Sequence, residues 1–351
     1  MERDHEAVNR IGKHIVLWMV GLSALSSCAL IDEKYSDCVQ DYQLDYTMCL
    51  VTNMTTELQT QLALATDISV SHALKDYLAE AFNDKAHDVN LHFYDVEGDS
   101  LLLHQEAHVM DATETSYSLE IPIRRYMHLA VANARKNGRL ELMSPDKCHE
   151  FAVRQQIGDT LDCHEAGLYT ARLPMDVQAG EDQEFDVQLY MATASSALVL
   201  DTLGSGIADV QVFLSGFATS FDVCDSTYHY DYTPILRTRQ INTKEGHELC
   251  FAGIHFPSPD VPEVKAVIET PDPSVGEQAD NALWYLRVYV TLKDQTTTET
   301  ILGVRQPLQA GQLKVIKAQV HDNGSLISPD PTVTISVTLD WQGGTSHTVL
   351  L

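Results

Sequence analysis

Apolar residues recur at every second position through much of this chain, the spacing of strands that bury one face. Tyr42, Leu44, Tyr46 and Met48 set the pattern. It returns at Val89, Leu91 and Phe93, at Tyr117, Leu119, Ile121 and Ile123, and at Met127, Leu129 and Val131. Glu97-Gly98-Asp99 predicts a hairpin turn joining the second of these strands to Leu101 and Leu103. Pro122 inside its strand predicts a sheet edge, because a missing N–H there breaks no ladder bond. One segment departs from the two-residue period. Between 68 and 83, Leu74, Tyr77, Leu78, Ala81 and Phe82 fall at helical spacing with Lys75, Asp76 and Glu80 opposite, so one amphipathic helix is expected there.

A second series begins near 184, after the turn-prone Gln178-Ala179-Gly180-Glu181-Asp182, and places a domain boundary between 180 and 181. Its strands are expected at Phe185-Val187-Leu189-Met191, around 208–213, at Trp284-Leu286-Val288-Val290-Leu292 and at Val333-Ile335-Val337-Leu339-Trp341. Gln309-Ala310-Gly311 and Gly343-Gly344 read as turns. Pro257-Ser258-Pro259 and Pro271-Asp272-Pro273 are expected to bracket a surface loop. Many short strands buried on one face describe antiparallel β-sandwiches rather than a parallel sheet.

The N-terminus carries a different signal. Arg10 and Lys13 precede an apolar run over 15–25, too short to span a bilayer and of the length of a secretory leader. Leu25-Ser26-Ser27-Cys28 closes it as a lipoprotein cleavage box: small residues for the peptidase and a thiol to carry the lipid. Residues 1–28 are therefore a signal peptide, Cys28 the acylated first residue, 29–180 a first domain with its tether and 181–351 a second domain. Removing the signal takes away three acids and three bases, so the net charge stays at −27, a surface that repels nucleic acid and anionic lipid. No later apolar run reaches transmembrane length, leaving the lipid as the expected attachment to the outer membrane.

Six cysteines remain: Cys38, Cys49, Cys148, Cys163, Cys224 and Cys250. In an exported chain an even number favours disulfides. Cys38 and Cys49 flank an extended strand, which holds their α-carbons beyond the ~7 Å a bridge tolerates. If the first four are all bridged, each of that pair reaches one of Cys148 and Cys163, and a Cys224–Cys250 bridge closes a loop in the second half.

Intact catalytic patterns are missing. His247-Glu248 opens a zinc-protease motif, but Phe251 stands where its second histidine belongs. Gly204-Ser205-Gly206 reads as a turn, with Asp209 in place of a third glycine. Cys148-His149 and Cys163-His164 have the look of metal-ligand dipeptides, yet thiols in an oxidising compartment pair with each other, so no metal or other cofactor is assigned. Two clusters are candidate partner contacts: the aromatic loop with Tyr228, Tyr230 and Tyr232, and the basic turn with Arg135, Lys136 and Arg139, which would face an acidic surface.

Taken in order along the chain, several segments resemble the FimB-type minor fimbrial anchor subunits of Bacteroidetes. They are the lipidation box, Asp32-Glu33-Lys34-Tyr35-Ser36-Asp37-Cys38, the strand Asp41-Tyr42-Gln43-Leu44-Asp45-Tyr46-Thr47-Met48, and the strand-turn Leu91-His92-Phe93-Tyr94-Asp95-Val96-Glu97-Gly98. The turn Pro307-Leu308-Gln309-Ala310-Gly311 and the strand from Val333 to Trp341 complete the set. Val39 departs from the proline common at that place, and Met127-His128-Leu129-Ala130-Val131-Ala132-Asn133 replaces a glycine-containing turn. The resemblance implies two tandem transthyretin-like β-sandwich domains with a short helix in the first, no enzymatic activity, and a role in tethering a fimbrial shaft subunit to the outer membrane and limiting shaft length. A rival from another class is a surface glycan-binding lipoprotein, with Tyr228, Tyr230 and Tyr232 or Trp284 as its stacking platform.

Overall fold

The computed structural model describes residues 41–51, 68–82, 86–97, 100–109, 116–143, 146–179, 183–202, 206–232, 234–242, 247–261, 281–338 and 348–349. Cys28, Cys38, the signal and the tether lie outside these residues. So do Gly98-Asp99, 180–182, Gly204-Ser205, Pro271-Asp272-Pro273 and the chain from 339 to 347.

In chain order the elements begin with β1 (Asp41–Val51), α1 (Ile68–Ala81), β2 (Asp88–Asp95), β3 (Leu102–Val109), β4 (Ser116–Pro122) and β5 (Arg125–Ala132). There follow β6 (Leu140–Met143), a 3-10 turn (Cys148–Glu150), β7 (Ala152–Gln155), β8 (Thr160–Asp162), β9 (Tyr169–Asp176) and β10 (Glu184–Met191). The second series is β11 (Ala194–Asp201), β12 (Ile207–Ser215), β13 (Ser220–Asp222), β14 (Thr227–His229), β15 (Ile235–Arg237), β16 (Arg239–Ile241) and β17 (Glu248–His255). It ends with β18 (Trp284–Leu292), β19 (Thr297–Val304), β20 (Leu313–Val320), β21 (Leu326–Ile327), β22 (Val333–Thr338) and β23 (Thr348–Val349). The protein is mostly β, and α1 is the one α-helix among the described residues.

Four sheets result. Two have seven strands, ordered β3-β2-β5-β9-β10-β1-β4 and β23-β22-β19-β18-β12-β15-β8; the others run β16-β17-β11-β20-β21 and β14-β13-β7-β6. Most neighbours are antiparallel, but β1 with β10, β11 with β20 and β8 with β15 are parallel pairs, so the sheets are mixed. Strand β10, the first strand after residues 178–182, runs beside β1 and β9 in the first seven-stranded sheet; the chain changes sheet between Met191 and Ala194. The four-stranded sheet joins β6 and β7 to β13 and β14, which ties the two halves together.

Three apolar cores follow from this layering. Leu129, Val131, Phe151, Val153 and Phe221 fill the space between the first seven-stranded sheet and the four-stranded one. Leu198, Leu200, Val212, Leu214, Leu286 and Val288 do the same between the five-stranded sheet and the second seven-stranded one. A third core joins the two sandwiches. The opposite face of the first sheet (Leu44, Tyr46, Leu91, Phe93, Leu189) and Leu74 and Leu78 of α1 pack against Ala197, Val199, Cys250 and Ile254. Strands β2, β5 and β11 are thus covered on both faces, which is why β2 is buried at all eight of its residues. Burying a leucine such as Leu74 or Leu78 contributes roughly 2 kcal/mol, and α1 is held by that apolar stripe while Lys75, Asp76 and Glu80 stay exposed.

Several expectations meet their structure directly. The helix lies at Ile68–Ala81, β2 and β3 form the hairpin, and Pro122 ends β4, the outermost strand opposite β3. Strand β18 alternates over its whole length, with Trp284, Leu286, Val288, Val290 and Leu292 inward. Gly311 takes a left-handed φ of 76° in the expected turn, closed by Gln312 N–H to Gln309 O at 3.1 Å. The first proline pair is a correction: Pro257, Ser258 and Pro259 are buried, not on a surface loop. The Ser258 hydroxyl oxygen accepts Leu308 N–H at 2.8 Å and the Ser258 N–H donates to Leu308 O at 3.0 Å, so both chain segments satisfy each other's main-chain groups away from water.

Candidate functional site

Sheet edges are the chemistry this fold offers to another chain, since an unpaired strand presents a row of main-chain donors and acceptors. Most edges here are blunted. Strands β6, β8, β14, β16, β21 and β23 have two to four residues each, and β4 carries Pro122. Strand β3 is different: eight residues long and without proline. Its first turn is covered, because Leu102 N–H donates to Asp146 O at 2.6 Å and Leu101 bridges to Lys147. From Leu103 to Val109 its outer side has no strand beside it among the described residues.

The side chains of β3 alternate sharply. Leu103 and Val109 point away from the sheet at 41% and 75% exposure. On the inner face, the Glu106 carboxylate accepts the ring N–H of both His104 and His108, each at 2.8 Å, and the His104 ring lies 5.7 Å from Phe93. Carboxylate and imidazoles hold one another in place along the strand, stiffening an edge that has a partner on only one side. The alternation predicts Leu101 and Leu103, but the polar run His104-Gln105-Glu106 hides the rest of the strand from a hydrophobic pattern.

The basic turn is built by buried polar groups. Asp88, 3% exposed, accepts Arg135 N–H at 3.0 Å and Lys136 N–H at 2.9 Å, and Asn133 takes a left-handed φ of 68° that turns the chain. Asn137 spends its whole amide inside. Its NH2 donates to Asn133 O and Ala166 O, and its oxygen accepts Glu165 N–H and Ala166 N–H, all within 3.0 Å. The exposed Lys136 ammonium lies 3.9 Å from Glu165, and the Arg139 and Arg237 guanidiniums each stand 3.7 Å from Asp162. Exposed pairs at such distances contribute little, so these cations remain open to an acidic partner.

Beside that turn, against α1, lies a cleft of about 520 Å³ lined by Tyr77, Glu80, Lys136, Asp162, Arg237 and Arg239 among others. The Arg239 guanidinium carbon sits 5.8 Å from the Tyr77 ring centre. His164 also lines the cleft. It is 3% exposed, neither ring nitrogen has a hydrogen-bond partner among the described residues, and burial pushes its pKa down to about 3.

The tyrosines serve the protein's own packing. The Tyr228 ring packs tilted against Phe221, centres 4.6 Å apart, and its hydroxyl donates to Ala192 O at 2.9 Å; Tyr230 packs on the same core. The Tyr232 hydroxyl lies 3.2 and 3.3 Å from Gln155 O and Gln156 O. Trp284 is fully buried and its indole N–H donates to Gln306 O at 3.0 Å, so it forms no surface platform.

The cysteines separate. Cys49 is exposed on β1, and Cys250 sits on β17 in the core that joins the sandwiches. Cys163 packs so closely on Gly253 that a Cβ there would stand 2.5 Å from its sulfur. Cys224 lies in a different core, with its sulfur 2.7 Å from that of Cys148; the expected Cys224–Cys250 partnership is not the one the fold brings together. Burial raises the Cys148, Cys163 and Cys250 thiols to about 12. His149 pairs with Glu150 at 3.7 Å, and Cys148 sits in the core between the first and four-stranded sheets while Cys163 packs on the core of the other sandwich, so Cys148-His149 and Cys163-His164 do not converge.

No family model matches this chain, and no curated protein does. Solved structures do resemble it. A DUF1812 protein from Bacteroides thetaiotaomicron aligns over 88% of this chain and 98% of its own at 12% identity, with a TM-score of 0.48. The fimbrial anchor protein Mfa2 from Porphyromonas gingivalis aligns over 87% and 98% at 12% identity and a TM-score of 0.44. A fimbrial assembly protein from Parabacteroides distasonis aligns over 89% and 99% at 9% identity and a TM-score of 0.38.

Proposed function

We propose that this chain is an outer-membrane lipoprotein that anchors a fimbrial shaft, limits its length, and catalyses nothing. Cys28 carries the lipid, and a shaft subunit adds a strand to β3. The observation that supports this most is the long, proline-free outer side of β3 from Leu103 to Val109, with Leu103 and Val109 standing exposed beside it. An added strand gains a row of main-chain hydrogen bonds and lays alternate side chains against those two. The leader and its lipidation box support the membrane end, and the segments that resemble fimbrial anchor subunits support a fimbrial shaft subunit as the class of partner. A polymer stops growing at its base once a tethered subunit occupies that place.

A surface glycan-binding reading draws on one observation, the charged cleft with the buried, unpartnered His164. Cys28→Ala tests the anchor. The variant should leave the membrane fraction and release shaft subunits with it; a variant that stays in the outer membrane as before rules out the lipid tether.

A further inference from the structure

Cys148 and Cys224 are 76 positions apart in sequence, yet their sulfurs lie 2.7 Å from each other in a buried setting. Two carbons at optimum separation stand about 3.5 Å apart, so this is closer than packing alone favours and within about 0.7 Å of a covalent S–S bond. The neighbouring backbone fixes the meeting. Strands β7 and β13 pair antiparallel with Ala152 opposite Asp222, and Val223 N–H donates to Phe151 O at 3.0 Å, extending the ladder by one step. The next residue on one side is Cys224, in the turn closed by Ser226 with its left-handed φ of 55°. On the other side the 3-10 turn, held by Phe151 N–H to Cys148 O at 3.1 Å, folds Cys148 back over the same point. Cys148 N–H donates to Ser100 O at 3.0 Å, so this cysteine is also pinned to the turn end of the β2–β3 hairpin.

We propose that Cys148 and Cys224 form a disulfide that joins the β3 edge region to the β13–β14 turn across the two halves of the chain. The bond forms by exchange with an oxidised disulfide carrier, a small molecule such as glutathione disulfide or a protein dithiol oxidant. One cysteine thiolate attacks a carrier sulfur, the other displaces the carrier thiolate, and two protons and two electrons leave the pair for the reduced carrier. Both thiols are buried in the folded chain, at 4% and 9% exposure, which places the exchange during folding and shields the finished bond from reductants. Oxidation in the cell rests on the export proposed above; the pairing itself does not.

Trypsin separates the relevant cysteines, because Cys148 falls in 148–154, Cys163 in 155–172, Cys224 in 173–237 and Cys250 in 245–265. The full mature chain should be reduced in denaturant, refolded in a glutathione redox buffer, alkylated and digested without reduction, alongside protein taken from the native cell envelope. A linked 148–154/173–237 peptide is expected in both. Recovery of 148–154 alkylated from the refolded protein, or linked to any other cysteine peptide in either sample, overturns the pairing. If refolding gives no folded protein, the envelope sample decides alone by the same criterion. A linked peptide after refolding with free thiols in the envelope supports the pairing and counts against export. Cys148→Ser, Cys224→Ser and the double variant should share one loss of melting temperature, roughly 5–10 °C, since the second substitution removes nothing the first has left; additive losses also overturn the bond.

Discussion

Asn137 shows how much one side chain can organise. All of its hydrogen-bonding capacity is used between the 133–139 turn and the 165–166 segment, with 1% of its surface exposed. Asn137→Ala leaves two main-chain N–H groups and two carbonyls without that partner, and should cost roughly 3–5 kcal/mol in urea unfolding. A loss below about 1 kcal/mol would mean that water substitutes for the amide. Four buried histidines set the acid response. In His128 the Nδ1–H donates to His92 O at 3.0 Å, which leaves Nε2 to accept the Tyr46 hydroxyl at 2.8 Å; His255 is held the same way between Phe256 O and Ser196. Burial lowers His128 and His164 to about 3, and His92 and His255 to about 4, from an ordinary 6.5. The fold therefore keeps them neutral while the unfolded chain takes up their protons. Stability is full above about pH 6.5 and falls as pH drops toward 4, by about 1.4 kcal/mol per pH unit for each histidine. Urea titrations between pH 7 and 4.5 should show this loss, with a shallower slope in His92→Phe. Equal stability at pH 7 and 5 contradicts it.

Among the elements, β3 carries the functional proposal, and main-chain chemistry says how to probe it. Along a strand alternate residues turn their N–H outward, so of Gln105→Pro and Glu106→Pro one removes an outward donor and the other a bond to β2. The variant whose melting temperature is unchanged is the informative one. It should weaken shaft binding roughly five- to thirtyfold, the worth of one or two main-chain bonds at about 1 kcal/mol each. Reversal of a single exposed charge in the basic turn, Arg135→Glu, should change binding less than twofold at physiological salt. The opposite ranking would move the docking surface from the strand edge to that turn. How far such elements can be read from sequence depends on how many faces they bury. Strands β1, β10 and β18 bury one face and alternate, and α1 is amphipathic, so all four stand out in the chain. Strand β11, Ala194–Asp201, is buried on both faces and shows no alternation, and short β7, β8 and β13 are made by pairing partners distant in sequence. The Cys148–Cys224 contact depends on that last pairing, which no local pattern encodes, and the β3 edge is masked because its inward positions are His104, Glu106 and His108.

At the scale of the whole molecule, the two sandwiches share a core through α1 and are crossed by the four-stranded sheet, so a pull on one is transmitted to the other through β-ladders and packed side chains. A body of that kind suits the proposed role of a base that holds a filament against shear. The chain carries a net charge of −27, which favours solubility and disfavours any role on nucleic acid. The central claim is attachment. The direct measurement is electron microscopy of cells deleted for this chain, with shaft subunits counted on the cells and in the culture supernatant. Anchoring predicts fimbriae shed into the medium or grown abnormally long, restored by the wild-type chain. Fimbriae of normal length and firmly attached in the deletion strain, together with tight binding of the purified protein to an oligosaccharide, would contradict the account.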